Sequence, residues 1–149
     1  MRIVIDMQGL QTPFSGERGV GRYIYNITKS LLECNNNKHQ IFLMLNGEFP
    51  DSVLRIRHLF KDLCPKDHFK LFFNKMYASY RTATSADAAR AAEAIFSAFV
   101  ESLEPDVVFY PNLQEGFNDA AITCVNTHSR AVQISTLHDL VPFFIGKSI

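Results

Sequence analysis

Met1-Arg-Ile-Val-Ile-Asp6, a breaker-rich stretch from Gly9 to Arg18, and Gly19-Val-Gly21-Arg22-Tyr23-Ile-Tyr-Asn-Ile-Thr-Lys-Ser-Leu-Leu32 open the chain in that order. The first run alternates and then fills with β-branched residues, as a strand covered on both faces does. The last sets Ile24, Ile27, Leu31 and Leu32 at helical spacing. Strand, glycine-bearing loop and amphipathic helix together make the opening unit of an α/β domain. Such a junction aims free N–H groups and the positive helix end at one spot, and glycine lets an anion approach the backbone. It predicts a phosphate corner at Gly19 and Gly21. Plain turn geometry at a helix entry is the simpler account of the same residues.

Strand and helix signals go on alternating beyond this unit. Asn35-Asn-Asn37 breaks the chain, and His39-Gln-Ile-Phe-Leu-Met-Leu45 reads as a second strand closed by Asn46-Gly47. Asp51 to Phe60 reads as a helix with Pro50 near its first turn. Phe69-Lys-Leu-Phe-Phe73 suits either a third strand or a surface hairpin. The helix expected from Ala83 to Leu103 carries Ala91, Ala94, Ile95, Ala98 and Phe99 on one side and stops at Pro105. Asp106-Val-Val-Phe-Tyr110 is a short buried strand, and Asn112 to Gly116 a loop at its carboxyl end. Ala120 to Val125 fits a short helix or an irregular turn, and Ala131 to Leu137 is the last strand, with His138-Asp139 at its tip. The expected fold is a Rossmann-like open parallel sheet of about five strands with helices on both faces.

The chain has 149 residues, enough for one domain that buries roughly two-thirds of its unfolded surface. Its 15 basic residues balance its 15 acidic ones, so no general nucleic-acid footprint is present. Cys34, Cys64 and Cys124 are far apart and odd in number, which fits a reducing cytoplasm better than a disulfide framework or a zinc site. No apolar run approaches ~20 residues, and a strand at the N-terminus argues against a signal peptide. Val141 to Ile149 leaves apolar residues still arriving after the last strand, as expected of a fragment or of one lobe whose partner lobe is missing.

Ligands of open α/β sheets bind beyond the carboxyl ends of the strands, where strand order reverses. The polar candidates fall at those ends: the Gly19 and Gly21 loop after the first strand, Asn112 to Glu115 after the fourth, and His138-Asp139 after the fifth. Each has a structural alternative. Arg22 suits a solvated first-turn position as well as a substrate contact. Asn112 and Glu115 line a pocket or satisfy loop backbone, and Asp6, closing the first strand, is open between the two roles. Ile24 stands where a dinucleotide fingerprint needs its third glycine, and Asn46 is not the acid that would close the second strand. Both count against a nicotinamide enzyme.

Arg2-Ile-Val-Ile-Asp6, Gly19-Val-Gly21-Arg22-Tyr23, Pro105-Asp-Val-Val108 and Ser135-Thr-Leu-His-Asp-Leu-Val-Pro142 resemble, in order and spacing, the N-terminal lobe of family 4 glycosyltransferases, with the flavour of bacterial mannosyltransferases that build surface polysaccharides. The stretch from Asp51 to Ala88 carries no signature. The resemblance implies a GT-B enzyme of two Rossmann-like lobes. It would be retaining and metal-free, and would take a hexose from a nucleotide sugar such as GDP-mannose. Its acceptor is a growing glycan or lipid-linked acceptor. The N-terminal lobe would hold the acceptor, and the C-terminal lobe, absent here, would bind the nucleotide and carry an E-x7-E pair. Glu93 and Glu101 match that spacing outside its context and read as helix-surface charges.

The resemblance gives His138 a place beside the donor sugar, Gly19 and Gly21 a place near its phosphates, and Asp139 a role in orienting the local turn. With one lobe alone, no turnover is expected. The rival reading is a non-catalytic module that binds a phosphorylated ligand or a partner lobe. Between Arg55 and Lys75, basic residues interleave with Phe60, Phe69, Phe72 and Phe73. That pattern suits a surface helix followed by a half-buried strand, or weak contact with the inner face of a membrane. The expected location is cytoplasmic.

Overall fold

The computed structural model describes residues 1–74, 85–116 and 119–138. Five strands form a single sheet: β1 (Arg2–Asp6), β2 (Gln40–Asn46), β3 (Phe69–Phe72), β4 (Val107–Tyr110) and β5 (Val132–Ser135). Their order across the sheet is β3-β2-β1-β4-β5, and every pairing is parallel. The chain winds outward from β1 to β3, returns across the sheet, and winds outward again from β4 to β5. Strand order therefore reverses between β1 and β4, the position where doubly wound sheets open a crevice at their carboxyl edge. Phe69–Phe72 pairs in parallel with β2 and is a true strand rather than a hairpin arm.

Four helices accompany the strands: α1 (Gln8–Gln11), α2 (Gly19–Cys34), α3 (Pro50–Leu59) and α4 (Ala86–Ser102). One side of the sheet packs Ile5, Leu43 and Phe69 against Ile24 of α2 and against Val53 and Ile56 of α3. The other packs Val4, Phe42, Met44 and Phe72 against Ala92, Phe96 and Val100 of α4. Helices thus cover both faces, as expected. Pro50 stands in the first turn of α3, where its missing N–H costs nothing. Ser85 caps α4, its hydroxyl oxygen accepting from the Ala88 N–H at 3.1 Å. Residues 83–84, at the start of the helix read from the sequence, lie outside the described residues. So does 139–149.

Two helix faces differ from expectation. The core side of α2 is Gly21, Ile24 and Thr28, while Leu31 is exposed. That of α4 is Ala92, Phe96 and Val100, while Ile95 is 46 % exposed. On α2, Gly21 sits inward because the start of the helix lies against the chain at Gly16. A hypothetical Cβ on Gly21 would come within 2.2 Å of the Gly16 carbonyl oxygen and 2.5 Å of its carbonyl carbon. That approach is backbone against backbone, and no rotamer change relieves it. On α4, Ala92 leaves room for Phe96 to meet Phe72 edge-on, with ring centroids 5.2 Å apart.

Residues 121–126 form no regular element, which settles the alternative between short helix and irregular turn in favour of the turn. Even so, Ala121 and Ile122 are buried. Among the basic stretch's aromatics, Phe60, Phe69 and Phe72 belong to the core, and Phe73 is the exposed one. Arg57 and Lys70 lie over the Phe69 and Phe42 rings. The aromatic content of this stretch is therefore accounted for by packing. Among the described residues, no helix is long and apolar enough to cross a membrane.

Gly21→Ala should lower the unfolding free energy by about 1–3 kcal/mol, the usual range for overpacking. Gly19 has open space where its Cβ would stand. Gly19→Ala should therefore be neutral or stabilising by up to about 1 kcal/mol. Urea denaturation midpoints of the two variants check both expectations.

Candidate functional site

The stretch from Gly9 to Arg18, read as a polar loop, begins with a buried helical turn. Gln8 and Gln11 are buried, and each side-chain amide pairs with a backbone amide in both directions. Gln8 Nε2 donates to the Ile122 carbonyl at 2.8 Å, and its Oε1 accepts the Ile122 N–H at 2.9 Å. Gln11 Nε2 donates to the Asn46 carbonyl at 2.9 Å, and its Oε1 accepts the Asn46 N–H at 2.7 Å. These two glutamines extend the hydrogen bonding of the sheet past its carboxyl edge. Gln8 also holds the irregular 121–123 segment beside the strand tips. Asn46 closes the group, donating from Nδ2 to Gln8 Oε1 and to the Ala120 carbonyl.

Asp6 lies at the centre of this edge, 3 % exposed. Its carboxylate accepts from the Gln8 backbone N–H at 3.0 Å and from Gln8 Nε2 at 3.1 Å. Burial nevertheless dominates and pushes the carboxyl from 3.8 up to about 7; the Gln8 hydrogen bonds oppose that rise and the Glu115 charge adds to it. Glu115 in turn accepts from the Thr12 hydroxyl at 2.8 Å and from Asn112 Nδ2 at 2.5 Å. Asn112 is buried, and its Oδ1 accepts the Gln114 N–H at 3.1 Å. Asn112 and Glu115 thus sit at the switch point between β1 and β4 and also tie the two loops together. Glu115, only half-buried, is the more accessible of the pair.

Gly19 begins α2 and is exposed. The Gly21 N–H donates to the Ser15 carbonyl and the Arg22 N–H to the Arg18 carbonyl, both at 3.0 Å. Among the described residues, the Gly19 and Val20 N–H groups have no backbone acceptor. Gly21 therefore serves close packing, and Gly19 carries the free end. Arg22 is exposed.

His138 stands beside this helix. Its ring meets Tyr23 edge-on, with centroids 4.9 Å apart and planes at 84°. Its Nε2 lies 2.8 Å from the Pro111 carbonyl oxygen. The Tyr23 hydroxyl pairs with the Thr136 hydroxyl at 2.9 Å, and the Thr136 N–H donates to the Tyr110 carbonyl at 3.2 Å. The first turns of α2, the end of β4 and the end of β5 thus converge on one rim. Asp139 lies outside the described residues. Tyr23 was not singled out from the sequence, although it closes the Gly19-Val-Gly21-Arg22-Tyr23 run. One helical turn separates it from Gly19, which is the signal that could have placed it on the same rim.

A separate depression of about 450 Å³ lies at the opposite, amino edge of the sheet, between Arg2, Lys38, Glu104 and Asp106. The Arg2–Glu104 ion pair at 2.8 Å and the Asp106 carboxylate on the Arg2 N–H at 2.6 Å brace its wall. Glu93 and Glu101 lie along α4, both half-buried, and Glu101 accepts from Asn126 Nδ2 at 3.2 Å. Neither glutamate reaches the carboxyl rim through a hydrogen bond among the described residues.

Compared with known proteins, the chain is 27 % identical over 146 residues to the serotype-specific mannosyltransferase WbdA of Escherichia coli. The chain is similar to a mannosyltransferase. The alignment takes in 95 % of this chain and 17 % of that enzyme. A second Escherichia coli protein of the same name is 23 % identical over 120 residues, covering 78 % of this chain and 14 % of its own length. The chain therefore spans about a sixth of the length of the curated relatives it matches. No family model matches it, and no solved structure does. The similarity agrees with the glycosyltransferase motifs read from residues 2–6, 19–23, 105–108 and 135–142.

The raised Asp6 carboxyl has a consequence for stability. The folded state holds this proton more tightly than the unfolded chain, so stability is fullest below the ordinary carboxylate range and is lost as pH rises. Unfolding free energy should fall between about pH 4 and pH 7, with a slope of up to about 1.4 kcal/mol per pH unit. Asp6→Asn should flatten that slope, as read by urea denaturation across the same range.

Proposed function

We propose that this chain is the acceptor-side lobe of a retaining, metal-free GT-B glycosyltransferase. The whole enzyme would move a hexose from a nucleotide sugar to a growing glycan. The hexose is mannose, the sugar named in the relatives' description, and GDP-mannose is the donor we favour. The observation that carries the reading is the convergence of His138, the free end of α2 and the Asn112–Glu115 loop on one rim at the strand-order reversal. The similarity to the Escherichia coli mannosyltransferases supports it.

Departure of a nucleoside diphosphate builds negative charge on phosphate and oxocarbenium character on the sugar. The amides of Gly19 and Val20, with the positive end of α2 behind them, would stabilise that phosphate charge across the cleft. His138 would position a sugar hydroxyl, and Asp139 would orient the turn that carries it. Glu115 and Arg22 flank the path by which an acceptor would enter. The nucleotide and the E-x7-E pair belong to a second lobe, so this lobe alone holds half of the cleft. A lipid-linked acceptor would bring the enzyme to the inner face of a membrane from the cytoplasm.

Titrating a mannose oligosaccharide into the 15N-labelled chain should shift amide resonances of residues 7–9, 19–23, 112–116 and 136–138. Shifts confined to the amino edge, or none, would overturn the acceptor assignment. Shifts at 19–23 caused by inorganic phosphate, with no response to the oligosaccharide at 112–116 and 136–138, would favour the non-catalytic module. Added GDP-mannose should give neither transfer nor hydrolysis in the same sample, since residues 1–149 would supply only one half of the proposed cleft.

A further inference from the structure

We propose that Tyr23 is a positioning residue for His138, and that with the Pro111 carbonyl it presents Nδ1 of His138 as a hydrogen-bond acceptor for a ligand hydroxyl. The identity of that ligand as a sugar rests on the function proposed above; the arrangement of the imidazole does not.

A carbonyl oxygen only accepts, so the 2.8 Å contact from His138 Nε2 to Pro111 requires the proton on Nε2. In the neutral ring, Nδ1 then carries a lone pair. Among the described residues Nδ1 has no hydrogen-bond partner. A single hydrogen bond leaves an imidazole free to swing about it, and the Tyr23 ring, edge-on at 4.9 Å, limits that swing. Tyr23 is itself fixed, since its hydroxyl bonds Thr136, whose N–H extends the β4–β5 ladder by one rung. The clamp therefore runs from the sheet through Thr136 and Tyr23 to one side of the imidazole, and through Pro111 to the other.

An accepting Nδ1 selects its ligand by chemistry. A sugar hydroxyl can donate to it, whereas an ionised phosphate oxygen cannot. His138 accordingly reads the carbohydrate part of a ligand and leaves phosphate to the helix end at Gly19 and Val20. That division of labour separates two groups that stand on the same rim.

The test is long-range 1H–15N correlation spectroscopy of the histidine side chains in the labelled chain at about pH 8, above the usual imidazole value. His138 should show the Nε2–H tautomer as its dominant form. Tyr23→Phe and Thr136→Val remove one hydrogen bond from its two ends, so each should raise the minor Nδ1–H population at least twofold and by the same factor. Tyr23→Leu, which also removes the aromatic edge, should raise it further. If the Leu variant does not fold, the wild type and the two milder variants still decide the matter. A dominant Nδ1–H form in the wild type, or an unchanged tautomer ratio in Tyr23→Phe, would overturn the clamp.

Mannose and inorganic sulfate, an anion with no proton to donate at this pH, then serve as probes in the same wild-type sample. Mannose should move the Nδ1 resonance and sulfate should leave it in place. The reverse pattern, or silence to both, overturns the hydroxyl assignment. Because the tautomer is read without substrate, loss of the transferase reading would leave the clamp standing, and loss of the clamp would leave the transferase reading to its own titration.

Discussion

The Gln8 side chain is the contact on which the carboxyl edge of this sheet depends. It is buried, and its amide gives both of its donor bonds and takes two acceptor bonds, from Asp6, Ile122 and Asn46. A buried hydrogen bond contributes about 1 kcal/mol, but a buried group left without its partner costs about 1–3 kcal/mol. Removing this amide would strand the Ile122 backbone groups and Asn46 together. Through it, an irregular segment with no helix or strand of its own is held against the tips of the central strands. The 121–123 segment, the α1 turn and the Asp6 carboxyl thus behave as a single unit.

That unit also decides which side of the strand-order reversal the chain occupies itself. Among the described residues, Gln8, Gln11 and Asn46 bond one another and the backbone on the β1–β2 side, whereas Glu115 and His138 stand on the β1–β4–β5 side. Glu115, His138 and the start of α2 are what a ligand could meet there.

Much of this fold was legible in the amino-acid sequence, and the reasons are specific. Arg2–Asp6 and Gln40–Asn46 are saturated with apolar and β-branched residues because both lie in the middle of the sheet. Pro50 and Pro105 mark element ends by known steric rules. The helix faces were read only in part. Ile24 is inside as its spacing suggests and Leu31 is exposed, while on α4 the buried Ala92, Phe96 and Val100 lie one position along from the expected Ala91, Ile95 and Phe99. At Gly21 only the lack of a side chain permits the approach to Gly16. The α1 turn was missed because its polar residues replace backbone partners, and nothing in a local pattern marks a glutamine as a surrogate for a strand. At the candidate site, His138 was legible as a strand-tip residue. Its arrangement was not, since Tyr23 and Thr136 meet across 113 positions of chain.

The parallel sheet also dictates an order of assembly. β1, β2 and β3 follow one another with one short crossover each, so their pairing closes modest loops. β4 must find the other side of β1 from far along the chain: Arg2 and Asp106, which hydrogen-bond at that junction, are 104 positions apart. Loop-closure entropy grows with that distance, and pairings of this kind are the slow ones in folding. The half of the sheet nearest the N-terminus can therefore form early, while the rim that brings Tyr23 to His138 waits for the late arrival of β4 and β5. During synthesis, the candidate site is among the last features of this lobe to exist.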